Sequence, residues 1–486
     1  MYRLRAMRLN SNLLRQRFCA AGELKTYVWV LRSLDFEFMN RHMKNAWCSL
    51  GFTLIVIWCL NSALTGAEIV SVAEYPSVQA AVDANAGQAV YVPAGDYLLS
   101  EEVSISKDGT ELYGLGRLIQ QNPRAAIVRI HDAKRVTLRG VTLTRSAGHE
   151  VAEREGIRVD HAEYVVLDSL QVLDNRAKDG AITMTDSHHC EVRNCLVHNY
   201  SRITVDDRTQ GNEGKYYGYA FNCIDGTGIV VSNCQDVLIQ SNRVIEEFLQ
   251  ATPEIKEEYD LGTFVRRNEQ RGELVSEQTW QAGYVNNWHQ GSAITISSPE
   301  QTRYVRVINN HIENAAQGID IHADHVLVQG NMVIDSFIGM KAMHGSRYVL
   351  IANNHFSKSV LWAIGLMPGA SSKVGNEDGD SIITGNIISE FGYGKAAWIW
   401  PSDRHTCVPI KLERGQTAEN PPLRNVLVTG NVIAESFSDD SIAEQQRLPP
   451  RYKWALLIDA GPGGPINVTV SDDNLLPPGT EGVRNR

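Results

Sequence analysis

The sequence predicts an all-β fold in which one chain winds into a solenoid of short strands. Two segments, residues 318–337 and 339–360, repeat one pattern with a period of about 21 residues. Each segment holds three short apolar stretches separated by turn residues, and neither shows the periodicity of an amphipathic helix. A period of roughly 20 residues with three short strands per repeat indicates stacked coils of β-structure.

The same template fits much of the chain. Further coils open with alternating strands at residues 136–143, 156–160, 181–185, 228–232, 293–297 and 363–367. An asparagine recurs at the matching corner of many coils, at Asn194, Asn242, Asn310, Asn331, Asn354, Asn386 and Asn431. Asparagine tolerates the left-handed turn conformation, and stacked asparagine side chains can hydrogen-bond along a ladder. We therefore expect these residues to be structural.

A short helix is predicted before the first coils. Residues 75–82 form an amphipathic pattern with Val78, Ala81 and Val82 on one face, and such a helix can cap the open end of a solenoid. A strand and turn follow at residues 89–97, and then the sequence LYGLG. With its run SVQAAVDA…VYVPAGDY, this region resembles the pectate-lyase-like superfamily, which includes secreted carbohydrate-active proteins. The resemblance implies a single-stranded right-handed parallel β-helix and leaves the reaction open.

Three long segments interrupt the coils, at residues 201–221, 247–291 and 395–424. Insertions in repeat arrays tend to emerge on one side and often carry the binding face. We therefore expect long loops on one face of the solenoid that form the wall of a groove.

The N-terminal region predicts export. Residues 1–42 have no clear periodicity and precede a usable start at Met43, so we interpret them as a non-native extension. Residues 43–67 have the features of a signal peptide: a basic start, an apolar run at 50–60 and small residues before the cleavage point. The run is short for a membrane helix, although a membrane anchor is the alternative. Residues 68–486 would then be a secreted or periplasmic β-helix domain, free of the membrane after signal removal.

The charge of the chain disfavours a polyanionic partner. Residues 1–67 hold nine Lys/Arg and three Asp/Glu, so the remainder, with 37 against 53, has a net charge of −16. Such an acidic domain is not expected to bind nucleic acid or an anionic membrane. A negatively charged substrate would need a locally basic site, and we expect the domain to be a monomer.

Alternation within the strands places one set of polar side chains on the outside. If Ile319 and Ile321 point into the core, Asp320 and His322 point out. Lys341 occupies the position of Asp320 in the next coil, about 4.8 Å away. The sequence therefore predicts that an acid, an imidazole and an amine lie side by side as a catalytic set.

The first chemistry that fits this set is β-elimination or C5 epimerisation of a uronic-acid polysaccharide. The C5 proton is weakly acidic, so its removal needs a base, and the substrate carboxylate must be neutralised. Lys341 or neutral His322 could be the base, with Asp320 beside them.

Other residues are candidates for holding the substrate. Arg158, which lies on the same outer face, His344 or a bound Ca²⁺ could meet the substrate carboxylate, and Asp320 and Asp324 are candidate calcium ligands. Sugar rings also stack on aromatic side chains. We therefore predict substrate contacts from the end of the second long segment, which holds Tyr284, Trp288 and His289.

Two alternatives remain open. Glycoside hydrolysis needs two carboxyl groups, which could be Asp320 with Asp324 or Asp225. The motif set of the polygalacturonase branch (Asn-Thr-Asp, Asp-Asp, Gly-His-Gly and Arg-Ile-Lys) is not found, and residues 318–322 are loosely similar to alginate epimerase-like and lyase-like members. The second alternative is a non-catalytic glycan-binding protein or adhesin, in which Asp320 and Lys341 form a surface ion pair.

Overall fold

A computed structural model describes most of the chain after the predicted signal peptide. The described residues are 69–209, 217–368, 376–399, 407–415, 421–434 and 449–486. The predicted extension at residues 1–42 and the predicted signal peptide at 43–67 lie outside this set. Within the described residues, no helix has the length and apolar character needed to cross a bilayer.

The chain passes in turn through three parallel sheets, which form the three walls of the solenoid. Counted over the described residues, sheet 1 has 12 strands, sheet 2 has 13 and sheet 3 has 11. Each strand pairs with the strand that occupies the same place one coil earlier and one coil later. This topology confirms the predicted β-helix.

Sheet 1 consists of Val103–Ile105, Val128–His131, Ile157–Asp160, Ile182–Thr185, Thr227–Ser232, Ser292–Ser297, Gln317–Ile321, Ile338–Ala342, Trp362–Leu366, Val408–Leu412, Trp454–Ile458 and Gly482–Asn485. Sheet 2 consists of Val70–Ser71, Ala89–Val92, Glu111–Gly114, Thr137–Arg139, Val166–Asp168, His188–Arg193, Gln235–Gln240, Arg303–Ile308, Asp324–Gln329, Leu350–Ala352, Gly379–Thr384, Arg424–Thr429 and Ile466–Val470. Sheet 3 consists of Asp96–Leu99, Arg117–Gln120, Thr142–Arg145, Gln171–Leu173, Leu196–His198, Arg243–Ile245, His311–Glu313, Met332–Ile334, His355–Ser357, Ile387–Ser389 and Val432–Ala434. Val151–Ala152 and Arg176–Ala177 form a small additional parallel pair.

The core is a set of apolar columns that run along the solenoid. In sheet 1, one column is made entirely of isoleucine over five successive coils, at Ile157, Ile182, Ile229, Ile294 and Ile319. All five side chains are fully buried. Because successive side chains of a strand alternate, these inward columns fix which residues face solvent on the same strands.

The asparagine ladder exists, with one change of membership. Each ladder side chain donates through Nδ2 to the Oδ1 of the next, as Asn331 does to Asn354 at 2.9 Å, and also to a backbone carbonyl. Asn194 was predicted to belong to this ladder, but it is exposed and donates to Asp168, whereas the backbone of Cys195 contacts the first ladder residue, Asn242. The left-handed turn falls on the residue before each ladder asparagine, at Ser241, Asn309, Gly330, Asn353, Gly385 and Gly430.

The predicted capping helix is present as Val78–Ala84. Ser77 caps it by accepting a hydrogen bond from the backbone N–H of Ala80. Val78, Ala81 and Val82 are buried against the first coils, as the amphipathic pattern predicted. The short 3₁₀ helices Val72–Glu74 and Lys395–Trp398 are the other helical turns of the described coils.

Two of the three predicted insertions emerge from the same corner, between sheet 3 and sheet 1. They contribute the antiparallel strands Arg202–Asp207, Tyr219–Asp225 and Phe264–Arg267, and the helices Pro253–Glu258 and Glu277–Ala282. The third segment, 395–424, was predicted as one long loop, and this is wrong. It contains the strand Val408–Leu412, which pairs with its neighbours in sheet 1 as a regular coil.

Candidate active site

Two neighbouring strands of sheet 1 place the predicted catalytic residues. Gln317–Ile321 and Ile338–Ala342 pair in parallel, with Asp320 opposite Lys341. Ile319 and Ile321 are fully buried. The side chains of Asp320 and Lys341 therefore face outward, and His322 follows at the end of the first strand. The predicted register is correct, and it brings the three side chains together.

The three side chains are connected through the carboxylate of Asp320. His322 Nε2 lies 2.8 Å from Asp320 Oδ1, and Lys341 Nζ lies 3.5 Å from Asp320 Oδ2. The ring of His344, one coil later, lies 4.6 Å from the ring of His322. We call Asp320, His322, Lys341 and His344 the site cluster. The side chains of Asp320, His322 and Lys341 keep 11%, 24% and 15% of their surface exposed, so the cluster is sheltered but reachable.

Burial and neighbouring charges shift the pKa values of Asp320 and His344 within the cluster. Burial opposes ionisation of Asp320, but Lys341 and His322 outweigh it and lower the pKa of Asp320 to about 2. Burial is the main cause that lowers the pKa of His344 to about 3, and the neighbouring His322 and Lys341 act in the same direction. At neutral pH the cluster therefore contains an ionised carboxylate and a neutral His344 imidazole.

The hydrogen bond to Asp320 orients the ring of His322. If His322 donates from Nε2, its Nδ1 is the proton acceptor, which is the arrangement of a general base held by a carboxylate. Lys341 supplies positive charge beside it. The cluster can thus accept a proton and stabilise a developing negative charge within a few ångströms.

The residues predicted to hold calcium do not fit that ion. Asp320 is engaged by His322 and Lys341, and Asp324 lies on sheet 2, where Arg347 Nη2 binds its Oδ2 at 2.9 Å. Calcium prefers several oxygen ligands with negative charge that is not already neutralised. Among the described residues, no group of three or more His, Cys, Asp or Glu side chains is arranged to hold a metal.

Arg158 is on the predicted face but not in the cluster. It lies four coils before Asp320, a distance of about 19 Å at the usual strand spacing. Its guanidinium contacts Glu155 at 3.7 Å and Asp160 at 3.5 Å. Arg158 therefore cannot meet the carboxylate of the sugar unit that contacts Lys341, which corrects the prediction.

The aromatic residues predicted to bind substrate lie inside the insertion. Trp288 is fully buried and His289 is 3% exposed, and burial lowers the pKa of His289 to about 4. Side chains without accessible surface cannot contact a polysaccharide, so these two predictions are wrong. Tyr284 is half-buried, and Lys256 Nζ lies 4.9 Å from the centre of its ring.

The carboxyl groups considered for hydrolysis are dispersed. Asp225 ends the insertion strand Tyr219–Asp225, two coils before Asp320, and burial raises its pKa. Asp324 is paired with Arg347 on sheet 2. Neither supplies a second carboxyl group to the site cluster.

Sequence reasoning missed one acid beside the cluster. Asp378 is 1% exposed, and its Oδ1 accepts hydrogen bonds from the backbone N–H groups of Gly345 and Ser346, next to His344. Burial raises the pKa of Asp378 to about 7. Its place in the coils was hidden by the long connection before it, but alignment of Gly379 with Arg347 in sheet 2 would have revealed it.

Comparisons with known proteins bear on the fold. No protein-family model matches the sequence, and no curated protein matches it. Among solved structures, DFA-IIIase from Arthrobacter chlorophenolicus A6 matches with a TM-score of 0.51 and 12% identity, over 84% of this chain and 98% of that one. A family 28 exopolygalacturonase of Yersinia enterocolitica matches with a TM-score of 0.51 and 12% identity, over 84% and 78%.

The Dettilon tailspike protein matches with a TM-score of 0.52 and 12% identity, over 86% of this chain. This chain spans 65% of the tailspike's length. At these identities the likeness concerns the fold. Together with the three parallel sheets, it shows that the chain has a right-handed parallel β-helix fold.

Proposed function

We propose that this chain is a carbohydrate-active enzyme that removes the C5 proton of a uronic-acid unit in an acidic polysaccharide. The observation that carries the proposal is the site cluster, in which one carboxylate orients an imidazole while an amine lies alongside. Removal of this proton is common to β-elimination and to C5 epimerisation, so both outcomes fall within the proposal.

Each residue has a defined part in the proposed step. His322 takes the C5 proton on Nδ1 while Asp320 holds the ring through Nε2. The electron pair of the C–H bond moves into the substrate carboxyl group, and Lys341 stabilises the resulting negative charge. In elimination, this electron pair then forms the double bond between C4 and C5, and the bond from C4 to its oxygen breaks; the departing oxygen takes a proton from water and leaves as a hydroxyl group. In epimerisation, a proton from water is instead added to the other face of C5.

The cluster is less suited to hydrolysis. A glycosidase needs two carboxyl groups about 5–10 Å apart on either side of the scissile bond. Asp320 is the partly exposed carboxylate of the cluster, and the nearby Asp378 is closed off from solvent at 1% exposure. The match to an exopolygalacturonase supports the fold and leaves the reaction to be tested.

The test is an activity panel on alginate, pectate, glucuronan and glycosaminoglycans. Elimination is followed by the ultraviolet absorbance of the unsaturated uronate, epimerisation by proton NMR, and hydrolysis by new reducing ends without absorbance. We expect His322→Ala and Lys341→Ala to abolish turnover. His325→Ala is the matched control, because the ring of His325 lies between those of Tyr304 and Tyr348 on sheet 2, at centroid distances of 5.1 Å and 4.5 Å.

The outcomes separate the alternatives. Unchanged turnover in both variants would remove the proposed site. Reducing ends without absorbance would indicate a hydrolase, and binding without any product would indicate a glycan-binding protein or adhesin.

We also propose that the domain works outside the cytoplasm. The support is the signal-like segment at residues 43–67 and the substrate class. Expression with this segment intact, followed by N-terminal sequencing of exported protein, tests it. Protein that stays in the cytoplasm with an uncleaved N-terminus would contradict export.

A further inference from the structure

A carboxyl group occupies a corner position that other coils fill with small or apolar residues. Aligned through the sheet 2 pairings, the position of Asp378 corresponds to Ala133, Ala162, Ser187, Cys234, Thr302, Ala323, Ser346 and Leu423. Burial of a carboxyl group costs free energy unless hydrogen bonds within the protein replace those lost to water. Asp378 is 1% exposed, and its Oδ2 has no hydrogen-bond partner among the described residues.

The hydrogen bonds of Asp378 lead to the turn that carries His344. Its Oδ1 accepts from the N–H of Gly345 at 3.0 Å and from the N–H of Ser346 at 2.9 Å. One carboxylate oxygen thus fixes two consecutive peptide groups directly after His344. Gly345 has φ +96°, a left-handed conformation that glycine adopts readily and that lets the chain turn here.

Ser346 extends the connection to the turn that carries His322. Its Oγ lies within hydrogen-bond distance of the carbonyls of Met343 at 2.8 Å and Ile321 at 3.0 Å. The same Oγ accepts from the N–H of Ala323 at 3.3 Å. The contacted residues flank His344 on one coil and His322 on the other, so a single network spans the turns of both rings.

We propose that Asp378 is a positioning residue that clamps the turns of His344 and His322 and thereby sets the contact between the two rings. It has no surface with which to touch substrate, and it acts through the backbone. Its effect on turnover rests on the proposed function, whereas its effect on the two rings does not.

The clamp depends on an acceptor oxygen and does not require a charge. Burial raises the pKa of Asp378 to about 7; the hydrogen bonds from Ser346 and Gly345 and the nearby His322 oppose this rise, and Asp324 adds to it. In either protonation state Oδ1 can still accept both N–H bonds. Asp378→Asn should therefore preserve the clamp, and Asp378→Ala should release it.

The experiment follows the titration of His344 by NMR in protein with ¹⁵N-labelled histidine, with signals assigned from His344→Asn and His322→Asn. Burial, supported by the neighbouring His322 and Lys341 and opposed by Asp320, holds the pKa of His344 at about 3. In Asp378→Ala the turn is freed, and we expect the titration to move toward the ordinary histidine value of about 6.5. Asp378→Asn should titrate like the parent protein.

Ser187→Ala is the matched control, because Ser187 makes the equivalent bond to the N–H of Ala162 far from the cluster. It should leave His344 unchanged. A folded Asp378→Ala protein with the parent titration would overturn the proposal, as would an Asp378→Asn protein that behaves like Asp378→Ala. If Asp378→Ala does not fold, Ser346→Ala is used instead, because it removes the Oγ that connects the two turns. An unchanged NMR signal of His322 in this variant would overturn the proposed clamp.

Kinetics separate this proposal from the proposed function. A misplacement of about 1 Å can cost roughly 100-fold in rate, so kcat should fall at least tenfold in Asp378→Ala while KM changes little. If no polysaccharide is turned over by the parent protein, the proposed function fails, and the histidine titrations still decide whether Asp378 holds the two turns.

Discussion

At two places on the outer face of sheet 1, an aspartate lies between two nitrogen-bearing side chains. We call these places the two settings, and they differ in the type of side chain that holds the aspartate. Toward the N-terminus, Asp160 Oδ2 binds Arg129 Nη2 at 2.8 Å and lies close to Arg158. The arginine side chains are 36% and 33% exposed. Each also faces a glutamate, Glu102 at 3.8 Å and Glu155 at 3.7 Å.

Four coils later, Asp320 is held by His322 and Lys341, which are less exposed. Within the described residues, neither of these two side chains pairs with a second carboxylate. Arginine keeps its proton at any ordinary pH, whereas imidazole and amine can release one. The same strand positions thus build a fixed ion-pair network at one site and a group able to exchange protons at the other.

The largest expected contrast is in catalysis. Removal of a general base typically costs roughly 10²–10⁴-fold in rate. His322→Ala should therefore lower kcat/KM by that range on whichever polysaccharide is turned over, and Arg158→Ala should lower it less than about tenfold, because it contacts at most a distant sugar unit. Steady-state kinetics on purified variants measure both. Equal losses would show that the two settings share one function.

Core substitutions on the inner faces beneath the two settings should lower stability by similar amounts. Ile157 and Ile319 belong to the same fully buried column of sheet 1. Replacement of either by alanine should lower the free energy of unfolding by about 2–5 kcal/mol, from lost burial and the cavity left behind. Urea denaturation provides the measurement. A much smaller loss at Ile319 would mean that the coil beneath the site cluster is loosely packed.

Low pH should destabilise the folded protein through His344, which belongs to the site cluster around Asp320. Its folded-state pKa, about 3, lies below the unfolded value of about 6.5, so the unfolded chain binds the proton more readily. The free energy of unfolding should therefore fall as pH drops from about 6.5 toward 3. Asp320, whose folded pKa is about 2, adds a further loss below about pH 4.

Urea denaturation across this pH range measures the effect. His344→Asn should flatten the curve between about pH 6.5 and 3 relative to the parent protein. His311→Asn serves as control, because His311 lies on sheet 3 beside Glu313, away from the site cluster. Parallel curves for the parent and His344→Asn would contradict the expected linkage.

The smallest expected effect is that of metal removal. Asp320 and Asp324 are already paired with cationic side chains of the chain itself. Dialysis against EDTA should therefore change kcat/KM by less than about twofold, with readdition of Ca²⁺ as the control. A loss of activity that Ca²⁺ restores would show that the charges at Asp320 rearrange when substrate binds.

The parts of the site that were predicted correctly are those fixed by the two-residue alternation of a strand or by the repeat length of the coils. Strand alternation is enough to turn Asp320 outward, and the repeat length is enough to place Lys341 beside it. His344 was also named, although its neutral state depends on burial that a sequence does not show. The fold itself followed from the repeats and from the capping helix.

The predictions failed where the period breaks. Trp288 and His289 belong to an insertion whose packing no repeat describes, and exposure was assumed for aromatic side chains that are buried. The strand Val408–Leu412 was hidden between irregular segments. Asp378 escaped notice because a long connection precedes it, so that its coil position could not be counted from its neighbours.

The asparagine ladder gives the solenoid a direction. From Asn242 to Asn431, each ladder amide donates to the asparagine one coil nearer the C-terminus. The last described member, Asn474, instead donates from Nδ2 to the carbonyls of Val428 and Ser471. Duplication or deletion within this part of the solenoid must therefore add or remove whole coils, each with its own ladder asparagine. An inserted coil without that asparagine would leave the Nδ2 of the asparagine before it without its Oδ1 acceptor. The Oδ1 of the asparagine after it would lose its Nδ2 donor.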